Sequence, residues 1–512
     1  MIASLVFMLA AAAPSLAPCE TLTNLKFDNA TIVSAAVVPE GPAPVRGGGG
    51  GAPRGGGART GGAPAQPPQP PQMIPAHCRV RIDLKPSADS HIEMEMWLPP
   101  AEAWTGKFMG VGNGGFAGSI QGLTNEMPQA LRRGYATAGT DTGHQDQGGD
   151  WAVGHPEKMI DFGYRATHEM TLKGKQIVKT FYDRAAQYSY FKGCSTGGRM
   201  AVMEAQRYPD DYDGIIAGSL ANRHIHMWTA GIERSVSLSR HPEGAISKEQ
   251  AARVNELVTN KCDTLHEGFL NNPKACKVDF AALKCSGASS DSSSCLSEAQ
   301  LKTVETFYGG VKNSKGELIF SGQALGNPIG AQQPTNQSPG GLFDLVRIAY
   351  NEPKRDWTTF DLDRDMKVLD KEIGYVDAVN PDLGKFKKSG GKLLLTHGWG
   401  DTGITPENTV LYYETVLDKM GANQSDWVRL FMAPGMGHCG GGPGVNTFDS
   451  ITTLEKWVEK GMAPETMMGT GANGFSRPLC AYPQFAEYKG SGDLKDGSNW
   501  ACKAPPAGAS RK

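Results

Sequence analysis

The chain has 512 residues, including 53 Asp or Glu and 51 Lys or Arg, and its formal net charge is -2. Its length predicts a main domain with an insertion or a second domain. With 39% hydrophobic and 20% charged residues it is typical of a soluble globular protein, and the balanced charge gives no reason to expect nucleic acid or an anionic membrane as a partner.

Residues 1–17 have the features of a signal peptide. The apolar run that ends at Ala13 is too short to span a bilayer, and Ser15-Leu16-Ala17 offers a cleavage site. No Lys or Arg precedes the run, so a mis-assigned start codon or a buried N-terminal segment is the alternative. We predict export, which makes the protein secreted or periplasmic.

The cysteine content also indicates an oxidising compartment, because an even number of cysteines without a Cys-x-x-Cys motif is typical of disulfides. The neighbouring pairs Cys262/Cys276, Cys285/Cys295 and Cys480/Cys502 are natural local bridges. A bridge between Cys19 and Cys78 would close a Gly/Pro/Ala-rich tract at 40–75, which we predict to be a disordered loop. The ten cysteines are Cys19, Cys78, Cys194, Cys262, Cys276, Cys285, Cys295, Cys439, Cys480 and Cys502.

Strand and helix patterns alternate from about residue 90, which predicts an α/β fold with a largely parallel sheet and crossover helices. The predicted elements are strands at 91–97, 107–111 and 135–138, a helix at 165–182, a strand at 188–191, a helix at 199–208 and a strand at 214–218.

The alternation stops at about residue 222, where a polar segment rich in Asn, Ser and Lys extends to about 385. Strand patterns resume at 392–396 and 427–432. We therefore predict a core formed by 18–221 and 386–512, with 222–385 inserted as a lid. Such insertions lie over the carboxyl ends of strands, where ligands bind in open α/β sheets.

A candidate nucleophile lies in Gly193-Cys194-Ser195-Thr196-Gly197, a Gly-x-Ser-x-Gly motif between a predicted strand and a predicted helix. The alternative is an ordinary glycine-rich turn. Ser195 would need a base, and two later strands end in suitable residues, Asp401 and His438, in the order that α/β hydrolases use. His397 is a rival base, but it precedes Asp401, so we interpret it as a loop hydrogen-bonding residue.

Two cysteines adjoin the proposed catalytic pair. Cys194 precedes Ser195 and Cys439 follows His438, so a disulfide between them would fix the base against the nucleophile. The alternative is two unrelated buried thiols.

Backbone amides are predicted to bind the oxyanion. The amide of Thr196 is one donor, and Gly114 or Gly115 in the glycine-rich loop 112–116 supplies the other. A phosphate-binding loop is the competing interpretation, but no Gly-Lys-Ser/Thr follows.

The chain resembles the tannase and feruloyl esterase family, which includes the hydrolase of mono(2-hydroxyethyl) terephthalate. The matching motifs are Cys19 to Leu22, Gly112 to Gly118, Thr140 to His144, Asp161 to Ala166, Gly193 to Arg199, His397 to Asp401 and Pro434 to Gly442.

The resemblance implies an α/β-hydrolase core with a lid inserted after the nucleophile, and it implies a triad of Ser195, Asp401 and His438. It implies five disulfides, Cys194–Cys439, Cys19–Cys78, Cys262–Cys276, Cys285–Cys295 and Cys480–Cys502. It also implies substrates that are esters of small aromatic acids. We predict no required cofactor.

One departure concerns calcium. Lids of the family usually carry a calcium loop with several aspartates after the cysteine that matches Cys262. Here only Asp263 clearly matches, His266 stands where a second aspartate is expected, and the loop is shortened. Calcium prefers several hard oxygen ligands, so we expect no calcium site in this lid.

These observations predict a secreted serine carboxylic ester hydrolase that cleaves esters of small phenolic acids. Feruloyl esterase is the first choice and tannase the second. A catalytically silent binder of plant phenolic polymers, and an enzyme that transfers the acyl group to another alcohol, are the other hypotheses. Trp228, Phe307 and Tyr308 are candidate pocket aromatics or lid core.

Overall fold

The computed structural model describes residues 18–42, 73–116, 118–123, 126–146, 148–286 and 295–505. The predicted signal peptide, at 1–17, and most of the predicted glycine- and proline-rich loop, at 43–72, lie outside these residues. Among the helices of the described ranges, none is both long enough and apolar enough to cross a bilayer.

The described residues form strands and helices that alternate over much of the chain. The strands are β1 (Ala30–Val38), β2 (Gly41–Pro42), β3 (Met73–Ile74), β4 (His77–Leu84), β5 (Ile92–Leu98), β6 (Lys107–Val111), β7 (Ala136–Thr140), β8 (Tyr188–Cys194), β9 (Gly214–Gly218), β10 (Val311–Lys312), β11 (Leu318–Phe320), β12 (Lys392–Gly398), β13 (Val428–Ala433), β14 (Thr466–Thr470), β15 (Ser476–Cys480), β16 (Phe485–Tyr488) and β17 (Trp500–Lys503). The α-helices are α1 (Glu126–Arg132), α2 (Pro156–Ile160), α3 (Ala166–Tyr182), α4 (Thr196–Arg207), α5 (His224–Arg240), α6 (Lys248–Cys262), α7 (Glu298–Gly309), α8 (Asp344–Tyr350), α9 (Leu362–Ile373), α10 (Gly384–Lys388), α11 (Pro406–Met420) and α12 (Ser450–Lys460).

Nine strands form one large sheet in the order β1-β4-β5-β7-β6-β8-β9-β12-β13. The pairs from β7 through β13 are parallel, and β1, β4, β5 and β7 pair antiparallel at one side. The predicted α/β class with a largely parallel sheet is therefore confirmed. Strands β1 and β4 were not predicted from the sequence. β1 is an edge strand that buries few of its residues, so its pattern is weak.

The parallel strands are buried on both faces, as expected when helices cover both sides of a sheet. In β12 every residue after Lys392 is buried. Leu393 and Leu395 face one apolar cluster and Leu394 faces the other, because successive side chains of a strand point to opposite faces. Burial of each such leucine stabilises the fold by about 1.5–3 kcal/mol.

The segment between β9 and β12 contains α5 to α10, β10 and β11, and its described residues add no strand to the large sheet. Apolar side chains of α5, α8 and α9 pack in one cluster with Phe116, Trp151 and Phe162. The inserted segment therefore lies directly on the loop that follows β6.

Candidate active site

Ser195 lies in a sharp turn between β8 and α4, at the carboxyl end of a central parallel strand. Its backbone has φ 67° and ψ -124°, a region that residues with a side chain rarely adopt. A Cβ atom on Gly193 would lie 2.3 Å from the carbonyl oxygen of Gly197, and one on Gly198 would lie 2.3 Å from that of Gly218. The turn therefore needs glycine at these positions, and it leaves the Ser195 side chain half-buried at the edge of the sheet.

Asp401 follows β12 and His438 follows β13, and β9 separates these two strands from β8 in the sheet. His438 Nδ1 lies 2.7 Å from Asp401 Oδ2, and Asp401 Oδ1 accepts hydrogen bonds from the amides of Gly403 and Ile404 at 2.8 and 2.9 Å. Asp401 is fully buried, whereas the His438 side chain is 38% exposed. Because Nδ1 is engaged by the carboxylate, Nε2 of His438 is the nitrogen left to accept a proton.

The structure connects the proposed base to the proposed nucleophile through a disulfide between Cys194 and Cys439. The Cα atoms of the two cysteines are 6.0 Å apart. Since neighbouring Cα atoms are about 3.8 Å apart, the Cα atoms of Ser195 and His438 cannot be separated by more than about 14 Å. The disulfide therefore confines the two residues to the same region of the folded chain.

His397 provides a second imidazole to the same carboxylate. Its Nε2 lies 3.0 Å from Asp401 Oδ2, its Nδ1 lies 2.6 Å from Thr409 Oγ1, and the residue is fully buried. Burial by itself raises the pKa of Asp401, but the hydrogen bonds from His397 and His438 outweigh it and hold that pKa below its ordinary value. Asp401 is therefore a carboxylate at neutral pH. The interpretation of His397 as a hydrogen-bonding residue agrees with this geometry, although the sequence did not indicate its partner.

The glycine-rich loop after β6 lies against the nucleophile turn. Thr196 Oγ1 donates a hydrogen bond of 2.6 Å to the carbonyl oxygen of Gly115, and a Cβ on Gly112 would lie 2.7 Å from the Cα of Gly197. A Cβ on Gly114 would meet no atom within 4 Å. Thr196 is the first residue of α4, where backbone N–H groups have no partner within the helix. This loop and this helix end are therefore close enough to bind one oxygen atom jointly.

A buried histidine supports the far end of the same loop. His144 Nε2 lies 2.6 Å from the carbonyl oxygen of Phe116, and its ring stacks on Trp151 with 3.8 Å between ring centroids. Burial lowers the pKa of His144 to about 4, so the ring is neutral at neutral pH. Its role here is structural.

The three candidate pocket aromatics fall into two environments. Trp228, near the start of α5, packs on Phe116 with 5.1 Å between ring centroids. Phe307 and Tyr308 pack with each other and with Phe280 inside the inserted segment. Trp228 is therefore the candidate that lies next to the loop at the nucleophile.

The structure contains five disulfides, and no cysteine among the described residues is free. They are Cys19–Cys78, Cys194–Cys439, Cys262–Cys276, Cys285–Cys295 and Cys480–Cys502. These are the pairings that the family resemblance implies.

One group of potential metal ligands occurs in the described part of the chain, away from the nucleophile. Atoms of His168, Glu204 and Asp211 lie within 4.8 Å of one another. Lys175 Nζ donates a hydrogen bond to the carbonyl oxygen of Asp211, so a cationic side chain already occupies this cluster. Burial and the neighbouring Asp211 raise the pKa of Glu204 well above its ordinary value, which favours the protonated form of this carboxyl.

The chain is similar to known proteins in both sequence and structure. The family model described as "Tannase and feruloyl esterase" matches residues 78–340 and 341–503. A probable feruloyl esterase B-2 of Aspergillus terreus is 34% identical, with 83% of this chain and 86% of that protein covered. The crystal structure of feruloyl esterase B from Aspergillus oryzae superposes with a TM-score of 0.80 at 28% identity, covering 95% of this chain and 99% of that one. A tannin acyl hydrolase from Aspergillus niger shares the fold, with a TM-score of 0.68 at 21% identity over 96% and 93% of the two chains.

Proposed function

Given that the chain belongs to the tannase and feruloyl esterase family and is a carboxylic ester hydrolase, we propose that it hydrolyses feruloyl esters through an acyl-enzyme on Ser195. The hydrogen bond between His438 and the buried Asp401 is the observation that carries the mechanism. It orients the imidazole, and the Cys194–Cys439 disulfide supports the proposed pairing because it joins the residues next to the serine and the histidine.

In the first proposed step the Ser195 oxygen forms a bond to the ester carbonyl carbon while its proton passes to His438 Nε2. The carboxylate of Asp401 stabilises the resulting imidazolium. The carbonyl oxygen becomes an oxyanion, which the amides of Thr196 and of Gly114 or Gly115 would bind. The bond from carbon to the alcohol oxygen then breaks, and the alcohol leaves with the proton from His438.

Water completes the proposed cycle. It gives a proton to His438 as it attacks the acyl carbon, and the bond to Ser195 breaks as the serine oxygen recovers a proton. The products are the free aromatic acid and the original enzyme. These steps use only side chains and amides of this chain, so we expect no cofactor requirement.

The proposed substrate class is supported by relatives named as feruloyl esterases and by the position of Trp228. An aromatic face beside the oxyanion loop can contact a phenolic ring, and such contacts contribute about 0.5–1.5 kcal/mol beyond area burial. Galloyl esters remain the second candidate class, because the same family includes tannases.

Hydrolysis of methyl ferulate, methyl gallate and para-nitrophenyl acetate by the wild type and by Ser195→Ala tests the proposal. Ser189→Ala is the matched control, since Ser189 lies on the same strand at its amino end. We expect methyl ferulate to be the best substrate, and we expect activity to vanish in Ser195→Ala alone. Labelling by a fluorophosphonate should likewise require Ser195. Undiminished hydrolysis by a folded Ser195→Ala variant would contradict the mechanism, and preference for methyl gallate would assign the tannase specificity.

We further propose that the protein is exported, because five disulfides are stable only in an oxidising compartment. Fractionation of the native host into medium, periplasm and cytoplasm would test this and would distinguish secretion from periplasmic retention. Recovery of active protein only from the cytoplasm would contradict it.

A further inference from the structure

The loop that follows Cys262 is where the family resemblance implies calcium, and its donor groups can be compared with what that ion requires. Calcium takes six to eight oxygen ligands, usually including several carboxylates. Between Cys262 and Cys276 the chain offers two carboxylates, Asp263 and Glu267. Both already have other partners.

The carboxylate of Asp263 accepts hydrogen bonds from two backbone amides of its own loop. Oδ1 accepts the amide of Glu267 at 3.0 Å, and Oδ2 accepts the amide of Gly268 at 2.8 Å. The carbonyl oxygen of Asp263 accepts the amide of His266, which has φ 55°, and Asp263 is itself buried. The amide dipoles therefore take the place of a cation around this carboxylate. His266 offers an imidazole where an oxygen ligand would be needed.

The carboxylate of Glu267 is paired with an arginine from the C-terminal part of the chain. Arg477, on β15, donates to Glu267 Oε1 at 2.7 Å and to Oε2 at 3.1 Å, which is the bidentate geometry favoured between guanidinium and carboxylate. Arg477 Nη1 also donates to Oδ1 of Asn271, and the Asn271 amide donates to Glu267 Oε2 at 2.7 Å. One guanidinium thus holds both ends of the short segment 267–271.

The guanidinium is enclosed on its flat faces as well. It stacks on Trp500 with 3.4 Å to the ring centroid and on Phe475 with 4.6 Å, and it donates to the carbonyl oxygen of Leu494 at 3.1 Å. Arg477 is fully buried, and the Glu267 side chain is 8% exposed. Arginine keeps its charge in such surroundings, because its guanidinium does not lose a proton in proteins. A permanent positive charge from β15 therefore lies against this loop.

We infer that the loop between Cys262 and Cys276 binds no calcium, and that the buried guanidinium of Arg477 is the cation that holds residues 263–271 against the C-terminal strands. Both carboxylates of this loop already have partners: backbone amides bond Asp263, and the guanidinium pairs with Glu267. A divalent ion would have to displace those partners, because the loop offers no free carboxylate. The stability of this loop is consequently independent of calcium and of chelators.

Metal analysis and thermal unfolding of the wild-type protein test the absence of calcium directly. After dialysis against calcium-containing buffer and gel filtration, we expect substoichiometric calcium by plasma emission spectroscopy. We also expect the same Tm in EDTA as in millimolar calcium chloride, since a ligand that binds only the folded state raises Tm with its concentration. One equivalent of calcium per chain, or a Tm that falls in EDTA, would overturn the inference. Neither measurement depends on activity, so the two measurements test the calcium inference independently of the proposed esterase reaction.

Substitutions test the role of the guanidinium. Arg477→Met keeps much of the side-chain volume and removes the charge, and we expect it to lower Tm by several degrees. Arg477→Lys should recover only part of the loss, because it keeps the charge without the fork and the stacking face. Arg429→Met is the matched control, since Arg429 bonds Glu465, whose side chain is 68% exposed, and it should change Tm little.

If Arg477→Met does not fold, Glu267→Gln provides a second test of the ion pair between Arg477 and Glu267. It preserves the shape of the pair and removes the carboxylate charge, so it should lower Tm more than the Arg429 control does. Wild-type Tm values for both Arg477→Met and Glu267→Gln would show that the guanidinium does not hold the loop.

Discussion

His397 contacts Asp401 of the proposed triad. Replacing His397 tests whether this second imidazole bonded to Asp401 contributes to catalysis. His397→Ala removes the 3.0 Å contact with Asp401 Oδ2 and the 2.6 Å contact with Thr409. His397 does not adjoin the proposed nucleophile in sequence, and His438 makes the shorter contact with the carboxylate. We therefore expect His397 to act as a positioning residue.

The magnitude follows from the kind of hydrogen bond that is lost. A hydrogen bond to a charged group contributes about 1.5–3 kcal/mol. If that energy serves to hold Asp401 as an oriented carboxylate in the transition state, kcat/KM falls by about 10- to 150-fold. We expect the loss in kcat, with KM nearly unchanged, because a positioning residue does not bind substrate. His397→Gln, which can still donate to Asp401, should recover part of the activity.

The pH dependence of kcat/KM distinguishes an effect of His397 on Asp401 from a purely structural role of His397, which would leave that pH dependence unchanged. With one donor gone, Asp401 binds a proton more easily, so the acid limb of kcat/KM should move to higher pH in His397→Ala. Steady-state kinetics on methyl ferulate between about pH 4 and 8 would measure this. His168→Ala is the control, because His168 also contacts a carboxylate at 2.7 Å, that of Asp211, next to the amino end of β9. Unchanged kcat in folded His397→Ala, or an equal loss in His168→Ala, would refute the reasoning.

Three further predictions concern the turn at the nucleophile, the adjacent disulfide and a buried carboxyl. Thr196→Val removes the hydroxyl that holds the glycine-rich loop, and steady-state kinetics should show kcat reduced by about 10-fold or more. Replacing Cys194 and Cys439 together by alanine should lower the free energy of unfolding by about 2–4 kcal/mol, measured by chemical denaturation, and mild reduction of the wild type should abolish activity before the fold is lost. Glu204→Gln should stabilise the protein at pH 8. Burial and the nearby Asp211 raise the pKa of Glu204, so the folded state keeps a proton that the unfolded state releases, and stability falls as pH rises above the ordinary value of 4.5. Denaturant titrations at pH 4 and pH 8 should show the gain from this substitution mainly at pH 8.

Each of these three predictions has a result that would contradict it. Wild-type kcat in Thr196→Val would show that the loop does not depend on this hydroxyl. Full activity in reductant, with both thiols of the Cys194–Cys439 pair shown free, would show that the disulfide does not orient the base. A destabilised Glu204→Gln at pH 8 would indicate that the side chain is charged and paired in the folded state.

The comparisons confirm the α/β-hydrolase class and the family that the sequence predicted, and local patterns made that possible. The strand, turn and helix around Ser195 are contiguous in the chain, so glycines and apolar spacing indicate them directly. Asp401 and His438 could be proposed for the same reason, since each follows a strand pattern in a glycine-rich loop. Helix bounds were less well predicted. The helix after the nucleophile begins at Thr196 rather than at 199, because the turn at Ser195 leads straight into it.

By itself, then, the sequence determined the class of fold, the proposed triad and the poor match to a calcium loop, because the strand and helix patterns, the calcium loop and the motif around each triad residue are all local. Only the tertiary structure decided that His397 shares a carboxylate oxygen with His438, that Trp228 packs on Phe116, and that Arg477 reaches Glu267 from more than two hundred residues away. No periodicity or motif encodes such contacts. They arise because packing brings together segments that are distant in the chain. Buried charges and amides then form hydrogen bonds with whichever polar groups the packing places next to them.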